Sequence, residues 1–312
     1  MNSAATQPER LAAPEWFVRA VAQPTLSHFA LFEGVRIHYR CWNEQDDGKP
    51  GLLFVHGYRG HSRWWDFIAP FFTETFRVLA MDFSGMGESD RRERYALTQH
   101  GAEIRAVIEH AGLAPATVVG HSYGGSRLLR LCAEDMHGVA HAVVLDSYVN
   151  FPAIDQLGQA DLVGRRTPYP DRASALARFR LVPDQYAEPY LFHYIASHSL
   201  RQVEGGWLWK FDPGLPFGTP EADGPEFLRR ITVPVSYVCG EHSSIVSADR
   251  ARRIVRHLTR GHGPVVVPEA GHHLMMDQPL ALVASLRSLL SPRLGVRVPK
   301  QLDVRPDAET TS

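Results

Sequence analysis

The chain has 312 residues, of which 44% are apolar and 21% are charged, as in an ordinary globular protein. Its 33 Lys and Arg residues nearly balance its 34 Asp and Glu residues, and this argues against a protein that binds nucleic acid or another polyanion. The three widely spaced cysteines predict neither a disulfide framework nor a Cys-x-x-Cys metal site.

The N-terminal segment, residues 1–26, is predicted to be a leader with a short helix near residues 16–21. Its first ten residues are polar and lack the apolar core of a signal peptide. No apolar run in the chain approaches the ~20 residues that a membrane span requires. We therefore expect a soluble cytoplasmic protein with no membrane span.

An alternation of strands and helices follows the leader. Two strands, at 28–32 and 35–42, are joined by a turn at Glu33-Gly34. Short apolar runs then predict buried strands at 52–55, 77–81, 117–119 and 143–145, with helical patterns at 63–72, 97–111 and 122–135. Alternation at this spacing indicates βαβ units, so we expect an α/β fold with a parallel sheet.

The alternation stops after residue 150 and resumes near residue 233. The intervening stretch has prolines, arginines and many aromatic residues, with helical patterns at 173–180 and 190–200. Strands at 233–239 and 265–267 and helices at 248–258 and 279–290 follow. We therefore predict one α/β core in two blocks, 27–148 and 226–292, with a helical cap inserted at 149–225 and a C-terminal tail at 293–312.

One motif carries the chemistry: Gly120-His121-Ser122-Tyr123-Gly124 matches G-x-S-x-G. It lies between a predicted strand and a predicted helix, the context in which such a serine is a nucleophile. A serine hydroxyl needs a general base. His272, just after the last predicted strand, is the predicted base, and its neighbour His273 is the second choice.

Acyl transfer also needs donors for an oxyanion, and backbone N–H groups are well suited because they are fixed in advance. The N–H groups of Tyr58, after the strand at 52–55, and of Tyr123 are the predicted pair. The aromatic cap is expected to form an apolar substrate pocket, and Trp64 and Trp65 are candidates for its wall.

These motifs resemble those of the α/β-hydrolase fold superfamily. The resemblance covers residues 27–150 and 226–292 and rests on four ordered motifs: His56-Gly57, Asp82-Phe83-Ser84-Gly85-Met86-Gly87-Glu88-Ser89, Gly120-His121-Ser122-Tyr123-Gly124-Gly125 and Gly271-His272. It implies a mostly parallel central sheet flanked by helices, with an inserted cap. It also implies a Ser-His-acid hydrolase of a small molecule that needs no cofactor and no metal. Whether the chain forms a homo-oligomer stays open.

The acid departs from the superfamily pattern. Members usually carry it in the loop after the strand at 233–239, but residues 240–246 have serines where Asp is expected. Asp146 follows the strand at 143–145 at the same sheet edge, and some members take their acid there. The sequence favours Asp146 and leaves Glu241, Asp249 or no acid as alternatives.

The predicted function is cleavage of an ester-type bond in a small, largely apolar substrate through an acyl-enzyme on Ser122. C–C bond hydrolases and lactonases share these motifs and stay open. Ser122 argues against haloalkane dehalogenase and epoxide hydrolase chemistry, which need a carboxylate nucleophile at this position. A non-catalytic ligand-binding relative is a further alternative, because the usual loop lacks an acid.

Overall fold

The computed structural model describes residues 13–96, 98–151, 167–215 and 224–291. Parts of the predicted leader (1–12) and cap (152–166, 216–223) and the predicted tail (293–312) lie outside the described residues. The strands are β1 (Leu26–Phe32), β2 (Val35–Cys41), β3 (Gly51–Val55), β4 (Arg77–Met81), β5 (Ala116–His121), β6 (Val139–Leu145), β7 (Leu200–Val203), β8 (Gly206–Trp209), β9 (Val235–Gly240) and β10 (Gly261–Val267).

Helices connect these strands. The α-helices are α1 (Glu15–Val21), α2 (Gln99–His110), α3 (Tyr123–Glu134), α4 (Arg172–Leu176), α5 (Pro189–His198), α6 (Ala248–His257), α7 (Leu274–Asp277) and α8 (Pro279–Leu290). Short 3-10 helices span Ser62–Trp65, Ala69–Phe72 and Gly224–Arg230. In the described part of the chain, no helix has the length and apolar character needed to cross a membrane.

The central sheet has the strand order β1-β2-β4-β3-β5-β6-β9-β10. Strands β1, β2 and β4 pair antiparallel, and all other pairs in this sheet are parallel. The turn between β1 and β2 has positive φ at both Glu33 and Gly34, as a type I′ hairpin turn requires. This topology confirms the predicted α/β fold with a mostly parallel sheet.

Helices cover both faces of the sheet. In β3, Leu53 and Val55 belong to one buried cluster, whereas Leu52 and Phe54 belong to the other. Successive side chains of a strand point to opposite faces, so a strand covered on both sides is a continuous apolar run. Helices α2, α3 and α6 contribute to the first cluster, and α1 and α8 contribute to the second. Because the central strands are parallel, their carboxyl ends lie at one edge of the sheet, where the predicted site residues follow them.

The segment from 167 to 215 contains the hairpin β7–β8 as well as helices α4 and α5. The sequence predicted only helices here. The hairpin strands are largely half-buried, so they lack the continuous apolar run that marks a buried parallel strand. The prediction of a helical segment was therefore incomplete.

This segment packs against the loops that follow β3 and β4. The N–H of Gly87 donates to the carbonyl of Lys210, and the N–H of Asp212 donates to the carbonyl of Gly85, both at 2.7 Å. The hydroxyl of Tyr58 donates to the carbonyl of Leu215 at 2.9 Å. The described part of the predicted cap therefore borders the sheet edge that carries the site residues.

Candidate active site

Ser122 occupies a sharp turn between β5 and α3. Its φ of 51° and ψ of −117° are uncommon for a residue other than glycine. A β-carbon on Gly124 would lie 2.4 Å from the carbonyl oxygen of His56, and one on Gly120 would lie 2.8 Å from the nitrogen of Gly125. Neither position has room for a side chain, which explains the glycines of the motif. Ser122 itself lies immediately before α3.

Ser122, His272 and Asp146 form a chain of hydrogen bonds at the carboxyl edge of the sheet. The hydroxyl of Ser122 donates to Nε2 of His272 at 3.0 Å. Nδ1 of His272 donates to Oδ1 of Asp146 at 2.7 Å, and both of these side chains are buried. The structure thus brings together the three side chains that the sequence predicted as nucleophile, base and acid.

The loop at 240–246 supplies donors to Asp146 in place of a carboxylate. The N–H of Gly240 donates to Oδ2 of Asp146 at 2.9 Å, and the hydroxyl of Ser243 donates to Oδ1 at 2.6 Å. Asp146 itself has a φ of 48°, which aspartate tolerates better than most residues. Sequence reasoning missed the contact made by Ser243, although it noted serines at the place of the expected acid.

The other two candidate acids make contacts elsewhere. Glu241 is exposed and accepts a hydrogen bond from the N–H of Glu269 at 3.0 Å. Asp249 lies at the start of α6 and forms an exposed ion pair with Arg252. Both therefore act at the protein surface in this structure.

The backbone of Gly57 lies against the nucleophile turn. A β-carbon on Gly57 would lie 3.3 Å from Cβ of Ser122. Tyr58 follows this glycine and Tyr123 follows Ser122, so both predicted donors adjoin the serine. Their rings are 5.7 Å apart, and the hydroxyl of Tyr123 bonds to Nδ1 of His100 at 2.7 Å. Their role at an oxyanion stays a prediction.

The two candidate pocket tryptophans differ in their surroundings. Trp65 is fully buried, with its ring 4.9 Å from that of Phe54 in the core. Trp64 is only half-buried, and its ring lies 5.4 Å from that of His273. Trp64 is therefore the member of the pair that lies beside the candidate site.

Two more buried histidines, His121 and His273, flank His272. Nε2 of His121 donates to the carbonyl of His272 at 2.9 Å, and Nε2 of His273 donates to the carbonyl of Val182 at 3.2 Å. Burial lowers the pKa of His273 to about 3 and that of His121 well below its usual value. Both rings are therefore neutral at neutral pH. The linear sequence gave no sign of this cluster, since His121 is far along the chain from the others.

Gln185 connects the predicted cap to the loop that carries His272. Its Oε1 accepts from the N–H of His273 at 2.7 Å, and its Nε2 donates to Oδ2 of Asp277 at 2.9 Å. The same carboxylate oxygen accepts from the N–H of Gly271 at 2.6 Å. Hydrogen bonds thus fix the backbone on both sides of His272. No sequence motif pointed to Gln185.

Comparison with known proteins shows the family. Residues 52–286 match the model of the alpha/beta hydrolase family. Human epoxide hydrolase 4 is 31% identical over 277 residues, which cover 79% of this chain and 73% of that protein. An esterase of Mycobacterium tuberculosis is 25% identical over 253 residues, which cover 78% of this chain and 84% of the esterase.

The fold is also similar to solved structures. The thioesterase domain from the curacin biosynthetic pathway superposes with a TM-score of 0.71 at 21% identity. The match covers 85% of this chain and 99% of that domain. At this identity the likeness establishes the fold alone.

Proposed function

The chain belongs to the alpha/beta hydrolase family, and we propose that it is a serine hydrolase that cleaves an ester-type bond of a small, largely apolar substrate. The observation that carries this proposal is the hydrogen-bonded series from Ser122 through His272 to Asp146. A hydroxyl, an imidazole and a buried carboxylate in this order can activate the hydroxyl as a nucleophile and stabilise the imidazolium that results.

In the proposed reaction, Oγ of Ser122 attacks the carbonyl carbon of the ester while Nε2 of His272 takes the hydroxyl proton. The N–H groups of Tyr58 and Tyr123 donate to the oxyanion of the tetrahedral intermediate. The intermediate collapses and His272 protonates the departing alcohol. A water molecule, deprotonated by His272, then attacks the acyl group and releases the acid, which restores Ser122.

Two alternatives, one other reaction and one non-catalytic role, are less well supported. Epoxide hydrolase 4 is a relative, but epoxide opening in this fold needs a carboxylate nucleophile, and this chain has Ser122 in that place. The lack of an aspartate in the loop at 240–246 is the feature that favours a non-catalytic relative. Asp146 bonds to His272 instead, and this favours an enzyme.

A fluorophosphonate probe tests the proposal, because such probes label activated serines covalently. We expect rapid labelling of the folded wild type, with the modified peptide containing Ser122, and no labelling of Ser122→Ala. A ranked panel of p-nitrophenyl esters, lactones and vinylogous diketones then separates esterase from lactonase and C–C hydrolase activity. A folded wild type that stays unlabelled would refute the proposal.

The chain offers a matched control for this experiment in Ser27. Its Oγ lies 3.1 Å from Nε2 of His38, whose Nδ1 lies 2.7 Å from Oδ2 of Asp82. This second Ser-His-Asp series has its serine in the regular strand β1 and not in a turn at the start of a helix. We therefore expect Ser27→Ala to be labelled as fast as the wild type.

Gln185 is expected to act as a positioning residue for His272. We expect Gln185→Ala to lower kcat about 10-fold with a smaller change in KM, because slight misplacement of the base slows the chemical step. Gln202→Ala, which changes an exposed glutamine of β7, is the control. Steady-state kinetics and the rate of fluorophosphonate labelling measure the effect. Equal kinetics for both variants would contradict this role.

A further inference from the structure

Three buried imidazoles meet beside Ser122, on the side of the predicted cap. The ring centroids of His121 and His272 are 5.0 Å apart, those of His121 and His273 are 5.5 Å apart, and those of His272 and His273 are 4.8 Å apart. One ring nitrogen from each residue lies within 4.8 Å of the other two. The proposed reaction uses only His272, so the presence of the other two rings needs a separate explanation.

The hydrogen bonds of these rings fix which nitrogen carries the proton. Nε2 of His121 bonds to a carbonyl, Nε2 of His273 bonds to another carbonyl, and Nδ1 of His272 bonds to the carboxylate of Asp146. Each oxygen accepts a hydrogen bond, so each of these nitrogens is the donor. A neutral ring then keeps a lone pair on its other nitrogen. Histidines that bind metals are held in this way, with the second nitrogen donating to a carbonyl or a carboxylate.

His273 gives a second, independent indication of a ligand. Its Nδ1 is buried and has no hydrogen-bond partner among the described residues. A buried acceptor that no protein group satisfies is uncommon, and its lone pair is available to a ligand. The ring is also fixed by its bond to Val182 and by the neighbouring ring of Trp64, so it cannot turn this nitrogen to bulk solvent without losing both contacts.

We propose that His121, His272 and His273 bind a zinc ion, and that the bound ion reversibly blocks hydrolysis at Ser122. Imidazole nitrogens suit zinc, whereas calcium and magnesium prefer oxygen. Tetrahedral zinc with bonds of 2.0–2.1 Å needs its ligand nitrogens about 3.3 Å apart, so the rings must turn slightly toward one another. Coordination occupies the lone pair on Nε2 of His272, and His272 can then no longer accept the proton of Ser122.

The binding and the inhibition are separate parts of this inference. Binding depends only on the three rings, whereas inhibition rests on the proposed function. Within the described residues, the other group of potential ligands is Glu241, His242 and Glu269, which are exposed and offer two carboxylates with one imidazole. That group provides a matched control on the protein surface.

The experiment titrates zinc into protein stripped of metal, in competition with a chromophoric chelator. We expect one zinc ion per chain in the wild type and in Ser122→Ala. We expect at least 100-fold weaker binding in His273→Gln, whose amide can still donate to Val182, and unchanged binding in His242→Ala. Circular dichroism checks the fold of each variant. The spectrum of bound cobalt adds a readout in the wild type, because tetrahedral nitrogen ligation gives intense visible bands.

Activity is measured in parallel on an ester that the wild type hydrolyses. We expect zinc to inhibit the wild type and His242→Ala at the concentration at which it binds, and a chelator to restore the rate. Absence of binding to an active wild type, or loss of binding in His242→Ala alone, overturns the metal site. Binding without inhibition overturns the blocking role. Binding by a protein that hydrolyses no ester contradicts the proposed function and leaves the metal site standing.

Discussion

Replacing Asp146 with asparagine is expected to lower kcat for ester hydrolysis by about 10³–10⁴-fold, because the uncharged amide can neither hold the tautomer of His272 nor stabilise its imidazolium. Asparagine is a suitable substitute, since it has the same shape and also tolerates the positive φ of this position. The backbone should therefore stay in place, and the effect can be assigned to the side chain.

The hydrogen bonds around Asp146 explain why the loss should be large. One carboxylate oxygen accepts from His272 and Ser243, and the other accepts from the N–H of Gly240. An asparagine has a single oxygen. If that oxygen faces Gly240, the amide group donates to Nδ1 of His272 and moves the ring proton to Nε2, where it blocks transfer from Ser122. If the oxygen faces His272, the amide NH2 group faces the N–H of Gly240, and two hydrogen-bond donors then meet without an acceptor.

Glu241→Gln and Asp249→Asn are the matched controls, because each removes the charge of a competing carboxylate without changing its size. Both side chains are exposed and bond elsewhere, so we expect kcat within about twofold of the wild type, as surface substitutions have small effects. Steady-state kinetics on one ester compares the three variants. A large loss in Glu241→Gln with little loss in Asp146→Asn would show that the acid is wrongly assigned.

The strands that the sequence predicted best are those whose signal is local. The strand predicted at 77–81 is β4 residue for residue, because its last four residues form the continuous apolar run of a strand buried on both faces. The helix predicted at 63–72 is instead two 3-10 turns. Pro70 would lie inside such a helix, where it lacks an N–H and clashes with the preceding turn. The hairpin β7–β8 was missed because its half-buried strands carry a weaker pattern.

The residues of the candidate site also differ in how readily a local sequence pattern reveals them. Ser122 and its glycines were readable because the turn is built from five consecutive residues. The acid partner of His272 was readable only as the favoured one of several candidates, because it depends on which strands are neighbours. Strand β6 pairs with β9 in parallel, with Leu145 opposite Val238, and this pairing places Asp146 beside Gly240 and Ser243. No local pattern could show that a serine of one loop supports an aspartate of the other.

The second large effect is expected on stability, at Asp82. This buried carboxylate accepts from the ring of His38 at 2.7 Å, from the N–H of Glu88 at 2.9 Å and from the N–H of Ser62. Asp82→Asn leaves at least one of these buried donors without an acceptor. We expect it to lower the free energy of unfolding by about 3 kcal/mol, the range for breaking a buried charged hydrogen-bond network. Chemical denaturation followed by fluorescence measures the change.

The loss of unfolding free energy in Asp82→Asn should depend on pH in a defined direction. Burial alone would raise the pKa of Asp82, but the bonds from His38 and from the backbone outweigh it and hold this pKa well below its usual value. A carboxyl whose pKa is lowered in the folded state stabilises the protein above its unfolded pKa of about 3.9. That stabilisation disappears as the pH falls towards the folded pKa. The difference between wild type and Asp82→Asn should therefore be constant from pH 5 to 7, within about 0.5 kcal/mol, and shrink below about pH 4.

Asp90 provides the control, since it lies in the same loop and its carboxylate also bonds to a basic side chain. It pairs with Arg36 at 2.9 Å, but both side chains are exposed to solvent. Water and salt screen such a pair, so we expect Asp90→Asn to unfold at nearly the same denaturant concentration as the wild type. Equal losses in the two variants would mean that Asp82 has no special structural role. A loss at Asp82 that persists unchanged at pH 3 would mean that packing, and not the charge, is responsible.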